Sequence, residues 1–198
     1  MDYKKFMLER IEKRKAQWLV DFERVKRYIL KDKIGGEANR IWVEEQIKGL
    51  AFGVDVCCGD LTMGENSVGV DKGWRMIGAS CYTSGDALID WEDNSLDYVV
   101  TNYLEAFEYP FKALREWHRC LKPGGVLAFS CANADNYDDG IGPFCNPHRV
   151  TIFTKRTIKN YLTKACFVNI HVEDGEEISM RVKCNKSDIT STSQELTA

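Results

Sequence analysis

Long apolar runs are absent from this chain of 198 residues, of which 44% are hydrophobic and 29% are charged. No stretch approaches the roughly 18 uncharged apolar residues that cross a membrane as a helix. The N-terminal segment 1–15 carries charges where a secretory signal would need an apolar run. We therefore expect a protein without a membrane span that is located in the cytoplasm.

Sequence motifs for metal binding are also missing. The eight cysteines include no Cys-x-x-Cys pair, and the three histidines do not stand at zinc-finger spacing from them. Asp138-Asp139 is interpreted as part of a solvated turn, so no metal site is predicted. Most cysteines stand in apolar runs, where a thiol acts as a small hydrophobic side chain, and we expect reduced, buried thiols.

A large excess of one charge is absent as well, because the formal net charge is −3 and the sequence pI is about 5.7. This balance argues against a protein whose whole surface binds nucleic acid. Residues 1–33, in contrast, carry eleven Lys or Arg and six acids. Because these charges are interspersed, and Trp18, Phe22, Val25 and Ile29 share one face of a predicted helix, we expect this helix to pack on the core. Binding to nucleic acid or to an acidic partner is the alternative.

Short apolar runs alternate with helical patterns from residue 37 onward. The last two predicted strands are separated only by an Asp174-Gly175 turn and must therefore be antiparallel. The alternation before them predicts a mostly parallel sheet with helices on both faces. Helices are predicted over 37–48, 110–121 and 154–165, and strands over 52–57, 67–70, 96–101, 126–132, 167–173 and 177–184, with a weaker strand at 78–83.

Acidic residues follow three successive predicted strands. Asp55 lies near the end of the first strand, just before the Cys-Cys-Gly turn that ends at Gly59. Asp71 follows the second strand, where a carboxylate can accept hydrogen bonds from both hydroxyls of a ribose. Asp86 follows the weak third strand, where it can accept a hydrogen bond from the amino edge of a purine. The carboxyl ends of parallel strands form the ligand crevice of such sheets, so these acids predict a nucleoside site.

Residues 49–184 resemble the class I S-adenosylmethionine-dependent methyltransferases of the type 11 kind. The acid and glycine of VDVCCGDL match the first motif of the family at Asp55 and Gly59, and Asp71 matches its second-strand acid. Gly85-Asp86-Ala87 matches the adenine-contacting motif, and LKPGGVL is the most recognisable string. The resemblance implies an α/β, Rossmann-like doubly wound, mostly parallel seven-stranded sheet with a C-terminal antiparallel hairpin. Outside the methyltransferase domain (49–184), the apolar spacing predicts an N-terminal helical extension (1–48) packed on the core, and the Ser- and Thr-rich composition predicts a disordered tail (185–198).

The resemblance implies S-adenosylmethionine as the cofactor and assigns roles to individual residues. Asp55 would order the glycine turn and reach the methionine amine. Thr101, Asn102 and Tyr103 would lie where the methionine end meets the acceptor, with Tyr103 a candidate catalytic residue. His148 is a candidate general base, and the alternative is a histidine that only orders its loop. The remaining implied contacts are those of Cys57, Cys58 and Gly59 through their backbone, of Asp71 with the ribose, and of Asp86 and Ala87 with the adenine.

Three departures from the family pattern affect the expected site. Cys57 and Leu61 stand where the family usually has glycine, and Ala106 replaces the histidine of the usual Leu-Glu-His. The segment between Asp55 and Asp71 is too short for the usual helix after the first strand, so a loop is expected there. This loop would leave the cofactor cleft more open.

The methyl acceptor is expected to be a small molecule, or a group linked to a glycan or lipid. Methylation of RNA or another nucleic acid is an alternative, although TNYL (101–104) lacks the Pro-Pro-Tyr string that suits amino groups of bases. A second alternative is a non-catalytic protein that binds S-adenosylmethionine, since Cys57, Leu61 and Ala106 depart from the pattern. A dinucleotide dehydrogenase is disfavoured because the Gly-x-Gly-x-x-Gly turn is missing. The oligomeric state is left open.

Overall fold

The computed structural model describes residues 36–72, 78–137 and 149–188 of the chain. The predicted helix that contains Trp18, the candidate base His148 and the Asp138-Asp139 turn lie outside these ranges. No helix in the described ranges is long and apolar enough to cross a bilayer.

Six strands form one mixed sheet in the described part of the chain, in the order β2-β1-β3-β4-β6-β5. The first four strands of this order are parallel neighbours, and β6 runs antiparallel to both β4 and β5. The antiparallel pairing of the last two strands agrees with the short connection between them. The strands are β1 (Gly53–Val56), β2 (Ser67–Val70), β3 (Leu96–Thr101), β4 (Leu121–Ala132), β5 (Phe167–Asp174) and β6 (Ser179–Lys186).

The predicted count of seven strands is wrong for the described residues, because segment 78–83 forms only an isolated bridge between Val70 and Cys81. The backbone N–H groups of Ser80 and Cys81 both donate to the carbonyl of Gly69, at 2.9 and 3.0 Å. Two successive N–H groups that donate to one carbonyl are typical of a turn, whereas in a β-ladder alternate residues donate to the neighbouring strand. The expected start of the tail at 185 is also wrong, because β6 continues to Lys186.

Three α-helices lie close to their predicted positions: α1 (Glu37–Ile47), α2 (Pro110–Cys120) and α3 (Lys155–Lys164). Helix α2 begins with a proline, whose missing N–H group would have no partner at this position. Helix α3 begins after Thr154, which exchanges hydrogen bonds with Thr157 in a capping box. Local sequence signals therefore set these helix starts.

The helices cover both faces of the sheet, as predicted. Val43 and Ile47 of α1 pack on Tyr98 and Val100 of β3. Helices α2 and α3 pack on the opposite face, where Trp117 is fully buried. Because successive residues of a strand point to opposite faces, β3 contributes Val99 to this second core.

Asn39 joins α1 to the C-terminal strands. Its side chain is fully buried and donates to the hydroxyl of Ser179 at 3.0 Å. Its Oδ1 atom accepts hydrogen bonds from Arg181 Nε at 2.9 Å and from the Glu176 backbone N–H at 3.3 Å. One amide therefore connects a helix on one face to the turn and strand at the other end of the chain.

Replacing Asn39 with alanine should lower the free energy of unfolding by about 2–4 kcal/mol, because several buried polar groups lose their partner at once. Urea denaturation of Asn39→Ala measures this loss. Glu45→Ala, an exposed position on the same helix, is the control and should change stability by less than about 0.5 kcal/mol. Equal effects in the two variants would contradict this role of Asn39.

Candidate active site

The candidate site lies at the carboxyl ends of the central strands. β1 is flanked by β2 and β3, and Val56 is paired with both Val70 and Thr101. The segments that follow β1, β2 and β3 therefore start at the same edge of the sheet, at the point where the strand order reverses. Such a point forms a crevice in which open α/β sheets bind their ligands.

A tight turn follows β1 and is held by the end of β2. The Cys57 N–H donates to the carbonyl of Val70 at 2.8 Å, and the Gly59 N–H donates to Asp71 Oδ2 at 3.2 Å. Cys57 and Gly59 both have positive φ, at 58° and 59°. An L-residue in this region costs about 1–2 kcal/mol, which explains why glycine suits position 57 in the resembled family. Asp71 thus organises the turn that precedes it in the sequence.

The thiols of this turn are neutral at physiological pH. Burial, together with the nearby carboxylates Asp55 and Asp71, raises the pKa of both Cys57 and Cys58 to about 12. A protonated thiol is a poor nucleophile. These two residues therefore fit a role through their backbone groups rather than through their sulfur atoms.

No helix follows β1, as the short spacing predicted, and residues 57–66 are turns and bends. This loop is fastened to the segment that follows β2. Thr62 Oγ1 donates to the carbonyl of Gly78 at 2.7 Å, and the Gly78 N–H donates to the carbonyl of Gly59 at 3.1 Å. A Cβ atom at Gly69 would lie 2.1 Å from the carbonyl oxygen of Gly78, so only glycine permits this approach. Leu61 is largely exposed on the loop.

Asp55 is a fully buried acid in β1. Its Oδ2 atom accepts a hydrogen bond from the Met63 backbone N–H at 2.7 Å, while Oδ1 is buried with no hydrogen-bond partner among the described residues. Burial is the main cause that raises the pKa of Asp55 to about 8. An unsatisfied buried carboxylate oxygen is costly, and a cationic or hydrogen-donating ligand would satisfy it.

The residues after β3 form a buried polar chain beside Asp55. Asn102 Oδ1 accepts a hydrogen bond from Ser130 Oγ of β4 at 2.7 Å, and Asn102 Nδ2 donates to Met63 Sδ at 3.3 Å. Thr101 is fully buried, and its hydroxyl accepts a hydrogen bond from the Tyr103 N–H at 3.2 Å. Tyr103 is partly exposed. The structure thus brings Asn102 next to the Met63 loop that caps Asp55.

Asp86 is engaged with helix α2. Its carboxylate accepts a hydrogen bond from Lys112 Nζ at 3.0 Å and another from the hydroxyl of Ser84. Partial burial opposes ionisation, yet these hydrogen bonds and the Lys112 charge lower the pKa of Asp86. Ala87 closes a turn by donating to the Ser84 carbonyl at 2.9 Å. Asp86 is therefore an ionised acceptor beside α2, whereas Asp55 and Asp71 are grouped around the turn after β1.

A buried ion pair lies at the same edge and was missed by the sequence analysis. Glu105 Oε1 lies 3.5 Å from Arg149 Nε and also accepts a hydrogen bond from the Ala132 N–H at 3.2 Å. Arg149 Nη1 donates to the Tyr137 hydroxyl at 2.7 Å, and the Val150 N–H donates to the Glu105 carbonyl at 2.9 Å. These contacts join the turn after β3, the end of β4 and the segment before α3. The partners are 44 residues apart, so no local signal could reveal the pair.

Stability should fall as the pH rises from about 4 to 8, because folded Asp55 keeps its proton up to a pKa of about 8 whereas the unfolded acid loses it near 3.8. Because of the proton that folded Asp55 retains, the free energy of unfolding falls by at most about 1.4 kcal/mol for each unit of pH increase. Urea denaturation at pH 5, 6, 7 and 8 measures this slope, and Asp55→Asn should remove the part of it that Asp55 supplies. Parallel pH profiles for the two proteins would contradict the raised pKa of Asp55.

Residues 35–129 match a family model described as a methyltransferase domain. A search of curated proteins gives no match to the sequence.

Solved structures share the fold at low sequence identity. A Thermotoga maritima S-adenosylmethionine-dependent methyltransferase, a possible histamine N-methyltransferase, is 16% identical with a TM-score of 0.62, over 86% of this chain and 97% of that one. An Archaeoglobus fulgidus S-adenosylmethionine-dependent methyltransferase is 16% identical with a TM-score of 0.62, over 80% of this chain and 99% of that one. The Burkholderia thailandensis 1,6-didemethyltoxoflavin-N1-methyltransferase, with bound 1,6-didemethyltoxoflavin and S-adenosylhomocysteine, is 14% identical with a TM-score of 0.59, over 87% of each chain.

The range that matches the methyltransferase domain includes Asp55 of β1, the turn at Gly59 and Asp71 after β2. The solved structures share the fold. The chain therefore resembles a methyltransferase domain over residues 35–129 and shares the fold of S-adenosylmethionine-dependent methyltransferases.

Proposed function

We propose that this enzyme transfers a methyl group from S-adenosylmethionine to a small-molecule acceptor at the carboxyl ends of β1, β2 and β3. The observation that carries the proposal is the arrangement around the turn after β1. Asp55 holds a buried carboxylate oxygen without a partner among the described residues, and Asp71 lies beside the same turn. These are acceptor groups at the place where this sheet topology binds ligands.

The residues present fit the donor. The methionine part of S-adenosylmethionine carries an ammonium group, which would give Asp55 Oδ1 the missing partner. A cation next to a carboxylate favours its ionised form, so binding should lower the pKa of Asp55. Asp55 is then the residue that recognises the methionine end, through a charge-assisted hydrogen bond.

Asp71 is the proposed ribose ligand. Its Oδ2 atom accepts a hydrogen bond from the Gly59 N–H in the turn after β1, and a carboxylate can accept several hydrogen bonds. The vicinal hydroxyls of a ribose would bind to this carboxylate beside the turn. Cys57, Cys58 and Gly59 would contact the donor through backbone groups.

Asp86 and Ala87 are the proposed adenine contacts. Asp86 is held in its ionised form by Lys112 and Ser84, which suits an acceptor for the adenine amino group. The Trp117 indole N–H donates to the Gly85 carbonyl at 2.6 Å and fixes the start of this segment on α2. The segment is thus oriented before any ligand binds.

Bound S-adenosylmethionine supplies a methyl group on a sulfonium, which is already a good leaving group, so transfer depends on aligned approach rather than on acid–base catalysis. Thr101 and Asn102 would position the methionine end, since both are buried and hydrogen-bonded to their neighbours. Tyr103 is partly exposed and would face the acceptor. His148 stays a prediction as a general base.

Three observations favour a small acceptor. Two structural neighbours are named for small molecules: one is a 1,6-didemethyltoxoflavin-N1-methyltransferase and the other a possible histamine N-methyltransferase. Residues 57–66 form a loop where the family usually has a helix, and a cleft left more open by this loop would admit such a molecule. The segment TNYL after β3 also lacks the string that suits amino groups of bases.

Asp71→Ala should weaken S-adenosylmethionine binding by about 1–3 kcal/mol in calorimetry, because the ribose loses its charge-assisted hydrogen bonds. Asp71→Asn keeps an acceptor for the Gly59 N–H and should lie between the wild type and alanine. Glu45→Ala, which removes an exposed carboxylate on α1, is the matched control. Unchanged affinity in Asp71→Ala would disprove the ribose assignment.

Methyl transfer should be detected when the enzyme is incubated with radiolabelled S-adenosylmethionine and pooled amines and heteroaromatic compounds. Total cellular RNA is the parallel sample, and Asp71→Ala should reduce any transfer. Label in RNA alone would contradict the small-molecule acceptor. Tight donor binding without transfer to either pool would favour the non-catalytic alternative.

A further inference from the structure

A groove of about 830 Å³ lies on the outer surface between α2 and the end of α3. We call it the helical groove. Asp86 lies at one end, and the lining follows α2 from Tyr109 to Arg119 before crossing to Lys164. It does not include the turn after β1 or the residues that follow β3. The helical groove is therefore a surface separate from the Asp55 and Asp71 cluster.

The charge of the helical groove is opposite to that of the whole chain. Its lining includes four cations and two carboxylates, whereas the chain has a net charge of −3. The carboxylates are already paired: Asp86 with Lys112 at 3.0 Å and Glu116 with Arg119 at 2.9 Å. The two remaining cations therefore give the lining of the groove its positive net charge.

These remaining cations are Arg115 and Lys164, which lie on different helices and are exposed. No described carboxylate forms an ion pair with either of them. They come from the two walls of the helical groove. A ligand that satisfies both must carry negative charge at more than one point or be long enough to bridge the walls.

The length of the groove and its aromatic residues indicate which class of anionic ligand it fits. The lining residues of α2 run from Phe111 to Arg119, nine positions that correspond to about 13 Å at 1.5 Å per residue. Tyr109 is 64% exposed at one end, and Phe111 beside it is 36% exposed. Cations that follow a groove, with exposed rings on which bases stack, are the features that bind single-stranded nucleic acid. An acidic peptide would use the cations but gains less from the rings.

We propose that the helical groove binds a short segment of single-stranded nucleic acid, with phosphates at Arg115 and Lys164 and a base stacked on Tyr109. This surface goes beyond the proposed methyl transfer, because none of these three residues is assigned to the donor or to the acceptor. Lys112 is left out of the binding set because it holds Asp86.

Fluorescence anisotropy of a labelled oligouridylate of roughly 15 nucleotides, titrated with the full chain, tests the proposal. Binding should weaken about tenfold between 50 and 200 mM salt, because phosphate contacts release counterions. The charge reversals Arg115→Glu and Lys164→Glu, made together, should weaken binding at least about tenfold. Tyr109→Ala should weaken it about fivefold or more through lost stacking.

Lys159→Glu is the matched control, since it reverses an exposed charge on α3 outside the lining. It should bind the oligonucleotide like the wild type. Circular dichroism and thermal melting check that each variant is folded, and calorimetry with S-adenosylmethionine should give unchanged donor affinity in all of them. Failure of the wild type to bind the donor would count against the proposed function and not against the groove.

Three results would overturn the proposal. The first is no oligouridylate binding at low salt. The second is binding that the Arg115→Glu/Lys164→Glu variant retains, which would place the site elsewhere, such as in the basic segment 1–33. The third is equally strong competition by polyglutamate, which would show that the helical groove binds acidic polypeptides.

Discussion

The parallel pairing of β1 with β2 on one side and β3 on the other is the constraint on which the site depends. It places Val56 beside both Val70 and Thr101, so the residues that follow these strands emerge at one edge. Asp55 and Thr101 lie at or next to the carboxyl ends of β1 and β3, and Asp71 and Asn102 lie in the segments that follow β2 and β3. The turn after β1 then completes the edge by donating the Gly59 N–H to Asp71. Because the backbone of β1 is bonded on both sides, Asp55 is held in a position that water does not reach.

Buried polar groups have two different roles in this structure. Asn39 has partners for both ends of its amide and connects α1 to β6. Glu105 and Arg149 connect three segments at the sheet edge, although removing two charges from water costs several kcal/mol per ion. Asp55 makes neither of these connections: it lies in β1 at the crevice, and its Oδ1 atom has no hydrogen-bond partner among the described residues. A buried acid in this position is suited to a ligand.

The proposed donor site and the helical groove use different parts of the architecture. The first is made by loops at the carboxyl ends of strands and contains acids that suit a cation and a ribose. The second is made by the outer sides of α2 and α3 and has the opposite charge. Asp86 lies at the boundary, since it lines the helical groove and is also the proposed adenine contact. Its ion pair with Lys112 holds the Asp86 side chain against α2.

Much of the architecture was predictable because it rests on local patterns. The apolar runs marked the strands, Pro110 and Thr154 marked the starts of α2 and α3, and the short link after β1 excluded a helix. The family resemblance also named Asp55 and Asp71 as site residues. The weak strand at 78–83 was wrong because the N–H groups of Ser80 and Cys81 share the carbonyl of Gly69, a contact between β2 and a segment that follows it.

The order of residues along the chain determined which acids follow which strands, because a strand and the turn after it are set by neighbouring residues. Only the tertiary structure decided their surroundings: that Asp55 is buried with one oxygen unsatisfied, that Asp86 is turned to Lys112, and that Glu105 meets Arg149. Burial and pairing arise between segments far apart in the chain, and no local pattern encodes them. The sequence therefore determined the chemical groups of this protein, and the fold determined their ionisation and their partners.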